Sequence, residues 1–226
     1  MLLLVTDTSG KHGFVGLVRA GEGETADGID VIEEVPLAGG TFSAQLVPQI
    51  SGLLENHALR KSDIDAFIVV SGPGSFTGLR VGLAAIKALG EILHKPIVPV
   101  SLLEVVALTD GAQGKVLAAV DAGRGESYVG EYEVSGPTAR LQGEHLLSRN
   151  ELISAAEGFM VCTPDSSLAQ GLEHAGLTTH LVTVSAGTIA RVGWRKLRAG
   201  ETVPPEQLEA NYIRRSDAEI FVRPTS

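Results

Sequence analysis

The sequence predicts an α/β fold built from two related lobes, and three observations support this prediction. A buried strand, a glycine turn and a long helix follow one another between residues 67 and 94. A strand–turn–strand pattern at the start of the chain recurs in the second half. The chain has 226 residues, of which 44% are hydrophobic, so it can bury one large core or two modest ones.

The chain opens with a predicted β-hairpin and a third strand. Residues 2–6 form an unbroken apolar run, residues 7–13 are polar and glycine-rich, and residues 14–19 are largely apolar again. This pattern predicts two strands joined by a polar turn. Residues 31–37 are predicted to form the third strand.

A helix is predicted over residues 41–57, with Thr41 or Ser43 as its cap. Its apolar residues recur at the spacing of one helical stripe, and they include Phe42, Leu46, Ile50, Leu53 and Leu54. Pro48 lies inside this helix and removes one backbone hydrogen bond, so we expect a bend there.

The next unit joins a strand to a helix through a glycine-rich turn. Residues 67–70 are apolar, the Gly72-Pro73-Gly74 sequence ends the strand, and Ser75 or Thr77 can cap the helix. The turn lacks the lysine that ends a Walker loop and the third glycine of the dinucleotide pattern G-x-G-x-x-G. We therefore interpret it as a structural turn rather than a phosphate-binding loop.

The helix after this turn carries small residues along one side. Gly78, Gly82 and Ala85 lie at helical spacing and leave a smooth groove. Each interior glycine costs about 1 kcal/mol relative to alanine, so the groove indicates that another backbone packs closely against it. The spacing alone leaves two alternatives open, namely the sheet of this chain or the helix of a partner.

A repeat relates the two halves of the chain. Residues 117–130 align without a gap to residues 3–16, so that Asp7 corresponds to Asp121 and Phe14 to Tyr128. The repeat predicts a duplicated core with lobes at residues 1–105 and 106–226, the last segment packing back on the first lobe. Chance similarity between two hairpins is the alternative.

Two acidic hairpin tips would then face each other across a cleft. Carboxylates and turn amides at such tips can hold a metal–nucleotide. The residues predicted for this nucleotide cleft are Asp7, Thr8, Ser9, Asp121 and Gly123.

The second half ends in the one basic helix of the chain. Ser185 is predicted to cap a helix that runs to Gly200 and carries Arg191, Arg195, Lys196 and Arg198, and Arg214 and Arg215 follow it. One interpretation is a solvated face whose cations suit a helix C-terminus. The other is a contact with tRNA or with a partner.

Composition and motifs limit the chemistry of the chain. The formal net charge of −9 argues against binding nucleic acid alone. The single cysteine, Cys162, fits a reducing compartment, and no predicted segment is a signal peptide or crosses a membrane, so we expect a cytoplasmic protein. The six histidines form no H-x-x-x-H or H-E-x-x-H pattern. We therefore predict no catalytic residues and no metal site.

Three motifs resemble the bacterial TsaB (YeaZ) family. They are Asp7-Thr8-Ser9, the block Gly72-Pro-Gly-Ser-Phe-Thr-Gly-Leu-Arg80 and the sequence Asp121-Ala-Gly-Arg-Gly-Glu126. The resemblance implies a two-lobed, actin-like fold with a duplicated mixed-sheet core. It also implies a non-catalytic scaffold that helps to form threonylcarbamoyladenosine in tRNAs that read codons beginning with A.

The resemblance also implies partners and a partner surface. The partners are a TsaD-like catalytic subunit and a TsaE-like ATPase, with tRNA reached indirectly through the complex and ATP and magnesium used through it. A homodimer is the alternative occupant of the same surface. Carried over by position, this surface comprises Ser43, Leu46, Ile50, Leu53, Ser75, Phe76, Gly78, Leu79, Gly82 and Ile86.

Two departures and two rival functions remain. The chain has Phe42-Ser43-Ala44 where the family has His-Ser-Glu, and Ala210 where the final motif has proline. One rival is a small-molecule kinase or ATPase of the same fold that acts alone. The other, a peptidase, lacks a nucleophile–base pair and a zinc motif in the sequence.

Overall fold

The first half of the chain folds around a mixed sheet. The computed structural model describes residues 1–21 and 28–213; the predicted Arg214 and Arg215 lie outside these ranges. The elements are β1 (Leu2–Asp7), β2 (His12–Ala20), β3 (Ile29–Ala38), α1 (Phe42–Asn56), β4 (Ala66–Gly72), α2 (Phe76–Leu93) and β5 (Ile97–Ser101). Their strands lie in the order β3-β2-β1-β4-β5.

The second half builds another sheet of the same design. Its elements are α3 (Leu102–Leu108), β6 (Gly114–Gly123), β7 (Glu126–Ser135), β8 (Thr138–Ser148), α4 (Arg149–Ala155), β9 (Met160–Thr163), α5 (Ser166–Glu173), β10 (Thr179–Leu181) and α6 (Ala186–Arg198). Its strands lie in the order β8-β7-β6-β9-β10, which repeats the order of the first sheet. The predicted α/β fold with a duplicated mixed-sheet core is therefore confirmed.

The two hairpins differ by one residue in register. Asp7 faces Phe14 across the first hairpin, whereas Asp121 faces Ser127 rather than Tyr128 across the second. An irregularity between Asp121 and Gly123 absorbs the extra residue. The gapless alignment of the repeat thus holds along each strand but not across the second hairpin.

The first sheet is covered on both faces, as its unbroken apolar strands require. Leu2 and Leu4 of β1 pack into a cluster with residues of α1 and α2. Leu3 and Val5 point the other way, into a cluster with residues of α3 and α6. Alternate residues of one strand therefore serve two helical layers.

The chain returns to the first lobe earlier than predicted. Helix α6 packs on the first sheet, where Ala186 lies against Gly16 and Gly193 lies against Ile68. After α6, Val203 bridges to Ile97 of β5. Residues 186–210 were assigned to the second lobe by their position in sequence, but they pack on the first lobe, because their apolar side chains complete its core.

Candidate functional site

A cleft of about 1,430 Å³ separates the tips of the two hairpins. Asp7 and Ser9 line it from the first tip, and Asp121 and Gly123 line it from the second. Lys11 reaches across, with its Nζ 3.7 Å from Asp121 Oδ2. The structure thus brings together four of the five residues that were predicted for the cleft.

Thr8, the fifth, does not line the cleft. It is 2% exposed, and its hydroxyl donates to the carbonyl of Gly78 at 2.8 Å. Its side chain points toward α2, because successive residues at the end of a strand alternate in direction. Thr8 therefore positions the helix and is wrongly predicted as a cleft residue.

Asp7 is a buried acid in the wall of the cleft. It is 6% exposed, and its Oδ1 accepts hydrogen bonds from the backbone N–H and the hydroxyl of Ser9 at 2.8 and 2.6 Å. Burial raises the pKa of Asp7, and the two hydrogen bonds from Ser9 oppose that rise. The cleft wall therefore carries a carboxylate whose charged form is disfavoured.

The second tip is more open. Asp121 is exposed, its Oδ1 accepts from the N–H of Gly123 at 2.9 Å, and its own N–H donates to Asp165 at 2.7 Å. The cleft lining mixes these acids with Lys11 and with arginines. In residues 1–21 and 28–213, no three His, Cys, Asp or Glu side chains cluster as a metal site would require. A metal–nucleotide in the cleft stays a prediction.

The glycine turn between β4 and α2 packs against the first hairpin. Ser75 caps α2, as predicted, with its Oγ accepting from the N–H of Gly78 at 3.3 Å. A Cβ atom at Gly78 would overlap the carbonyl of Thr8, and one at Gly82 would overlap its hydroxyl. The close neighbour of the small-residue groove is therefore this chain's own hairpin.

Most of the predicted partner surface is core. The buried members are Leu46, Ile50, Leu53, Gly78, Leu79, Gly82 and Ile86, each within the first lobe. An amphipathic helix has one apolar stripe, and here that stripe covers the sheet. These seven residues are wrongly predicted as a surface, whereas Ser43, Ser75 and Phe76 are exposed.

The outer faces of α1 and α2 nevertheless form an unusual surface. Val47 on α1 is 50% exposed and Ile92 on α2 is 72% exposed. Around them, Ala44, Ala84 and Ala88 are exposed as well. Our sequence reasoning missed these residues, although α1 contains one charged residue among fifteen, which is few for a surface helix.

An aromatic and cationic cluster lies at the edge of the cleft. The guanidinium of Arg80 sits 3.7 Å from the centroid of the Phe76 ring, and that ring lies 5.2 Å from the ring of Tyr212. Arg80 Nε also donates to the Tyr212 hydroxyl at 3.3 Å. The cluster joins the start of α2 to the C-terminal segment.

Comparison with known proteins places the chain in a family. The model of the family described as "TsaD: tRNA N6-adenosine threonylcarbamoyltransferase" matches residues 36–220. The tRNA threonylcarbamoyladenosine biosynthesis protein TsaB of Haemophilus influenzae is 30% identical over 173 residues, which is 75% of this chain and 67% of the relative. The chain belongs to the TsaB (YeaZ) family. The predicted resemblance is therefore confirmed.

Other relatives match more of the chain. An uncharacterized protein of Mycobacterium tuberculosis is 30% identical over 96% of this chain and 93% of its own length. The chain also matches a longer relative from Mycobacterium leprae, of whose length it covers 56%. The structure of YeaZ from Pseudomonas aeruginosa superposes with a TM-score of 0.69 at 24% identity, over 94% of this chain and 100% of that one. It shows that this chain shares the overall fold of that protein.

Proposed function

We propose that this TsaB-family chain is the non-catalytic subunit of the complex that forms threonylcarbamoyladenosine in tRNA. It pairs with a TsaD-type catalytic subunit, helps to recruit a TsaE-type ATPase and acts in the cytoplasm. Two findings support the proposal. The matching family model carries the description of the transferase, whereas the TsaB relatives are described as biosynthesis proteins.

The observation that carries the pairing is the exposed apolar face of α1 and α2. Phe42 of α1 lies beside Gly78 of α2, so the two helices start at the same level and present their outer faces together. On α1, Val47 is exposed three residues after the exposed Ala44, and on α2, Ile92 is exposed four residues after the exposed Ala88. Exposed apolar patches with few charges mark protein–protein contacts. Ridges of such residues suit the grooves of a partner's helices.

The test is a matched pair of charge insertions. Val47→Asp places a carboxylate on the α1–α2 face, and Leu141→Asp places one on β8 at nearly equal exposure, 50% against 49%. We expect Val47→Asp to weaken pairing with the TsaD-type subunit at least about tenfold, which is ~1.4 kcal/mol, and Leu141→Asp to leave it unchanged. Sedimentation of the purified mixture measures both. Equal pairing by the two variants would contradict the proposal.

The same samples separate the rival functions. A chain that sediments as a dimer alone and not with the TsaD-type subunit would indicate that the face serves self-association. We further infer that ATP and magnesium act in the complex rather than in an autonomous site of this chain. Steady ATP turnover by the isolated chain would contradict this inference and favour the kinase or ATPase alternative.

A further inference from the structure

Helix α6 presents a row of arginines to solvent. Its inner residues, including Ile189, Ala190 and Gly193, are buried against the first sheet. Arg191 and Arg198 are exposed and Arg195 is half-buried. The spacing of 191, 195 and 198 places all three on one face, over two turns of the helix. We call these three residues the α6 arginine row.

The row stands out against the charge of the molecule. The chain has 27 acidic and 18 basic residues in all. Lys196, on the side of the helix, is neutralised by Glu104 at 2.9 Å and Glu201 at 3.9 Å. Glu104 also acts on the half-buried Arg195, although no carboxylate lies within 4 Å of the guanidinium of Arg195 or Arg198 in the described part of the chain. The exposed Arg198 is therefore available for an anion, and Arg195 shares the single Glu104 carboxylate with Lys196.

A recess beside the row suits a phosphate group. It has a volume of about 270 Å³ and lies between α6 and the end of α3. Its polar side is lined by Arg191, Arg195, Thr109, Gly111 and Thr188, and its apolar side by Val105, Leu108 and Val192. The planar fork of a guanidinium matches two phosphate oxygens, which is why arginine dominates phosphate recognition. The row then offers a recess for one phosphate and Arg198 for another.

The position of α6 leaves the row open when the proposed partner is bound. Helices α1 and α2 cover one face of the first sheet, and α6 covers the opposite face. A subunit that docks on α1 and α2 therefore does not cover α6. The α6 arginine row and the α1–α2 face are thus separate sites of one lobe.

We propose that the α6 arginine row binds backbone phosphates of tRNA, so that this chain contacts the RNA directly. The identity of the RNA rests on the function proposed above. The competing explanation is that the cations only stabilise the C-terminus of α6. That explanation accounts for Arg195 and Arg198, which both lie in the last turn, but it does not require Arg191 and Arg195 to border a recess.

The chain carries its own reporter for this contact. Trp194 is the only tryptophan, and it lies on α6 beside the row, three residues from Arg191 and four from Arg198. Titration of the isolated chain with an unmodified tRNA transcript at low salt should therefore change the fluorescence of Trp194. This measurement does not depend on any other subunit.

Two double variants make the titration specific. Arg195→Gln/Arg198→Gln removes two charges from the row, and Lys61→Gln/Arg140→Gln removes two exposed charges elsewhere. We expect the first variant to bind tRNA at least about fivefold more weakly, with a log–log salt slope shallower by about 1 to 2, since each phosphate contact contributes roughly one. The control variant should bind as the wild type does. Thermal melts of both variants verify folding.

Each other outcome has a definite meaning. Equal tRNA affinity for the two variants would overturn the inference. Weaker pairing of Arg195→Gln/Arg198→Gln with the TsaD-type subunit or the ATPase, at unchanged tRNA affinity, would overturn it in favour of an acidic protein partner. Failure of the wild-type chain to pair, together with a tRNA effect in the row variant, would overturn the proposed function and support this inference.

Discussion

Asp7 is a buried acid whose charge lowers the stability of the folded protein. The residue is 6% exposed, and the backbone N–H and hydroxyl of Ser9 both donate hydrogen bonds to its Oδ1. Burial raises its pKa above the ordinary value of 3.8. Keeping a costly charge in a cleft is typical of residues retained for a role other than folding. The sequence indicated the position of Asp7 but not its burial.

We predict that Asp7→Asn stabilises the protein at neutral pH by roughly 0.5–2 kcal/mol. The amide oxygen can accept both hydrogen bonds from Ser9, and no charge is buried. Because the folded pKa is raised, the wild type loses stability as the pH rises from the unfolded value through the folded one. The advantage of the variant should therefore vanish in acid. Urea unfolding across this pH range measures it, and a variant less stable at pH 7 would contradict the prediction.

The apolar pattern of a helix predicts the helix itself correctly, but it did not predict which face is exposed. The sequence predicts α1, α2 and α6 and the Ser75 cap correctly, since periodicity and capping are local. Thr41 also sits at the start of α1, but its hydroxyl donates to Ala38 instead of capping the helix. Our reasoning did not find α3 and β8, because α3 has seven residues and β8 is largely polar.

Two interior glycines give opposite predictions for the same substitution. Gly82→Ala would push a Cβ atom into the Thr8 hydroxyl. We expect the free energy of unfolding to fall by about 1–3 kcal/mol because of overpacking. Gly52→Ala on α1 has no atom within 4 Å of the new Cβ, so we expect a gain of about 0.5–1 kcal/mol in helix propensity. Chemical denaturation measures both. Similar effects of the two changes would show that Gly82 does not require its close contact.

The two lobes are linked through the C-terminal segment. The Asn211 N–H donates to the carbonyl of Ser71 in the first lobe at 2.7 Å. Its side-chain amide donates to Glu144 Oε2 in the second lobe at 2.8 Å. Leu208, in the same segment, is 1% exposed in the core of the first lobe. The segment therefore sets how the second lobe is held relative to the cleft. The Lys11–Asp121 pair adds little, because its lysine is 88% exposed.

We predict that Asn211→Ala loosens the contact between the two lobes and lowers the free energy of unfolding by about 1–2 kcal/mol, since it removes a hydrogen bond to a charged group. Spin labels at the exposed positions 44 and 140, one on each lobe, should report a broader distance distribution. Asn150→Ala, at an exposed site at the start of α4, is the matched control. An unchanged distribution in the Asn211 variant would show that other contacts hold the lobes.

By itself the sequence determined the fold class, the repeat, the family and the approach of Asp7 and Asp121. These follow from patterns within one segment, or from motifs that a family shares. Only the tertiary structure decided that Gly78 and Gly82 meet Thr8, that the stripe of α1 is core, and that α6 returns to the first lobe. The physical reason is that an apolar stripe specifies burial but not its partner. The choice of partner depends on contacts between residues far apart in the chain.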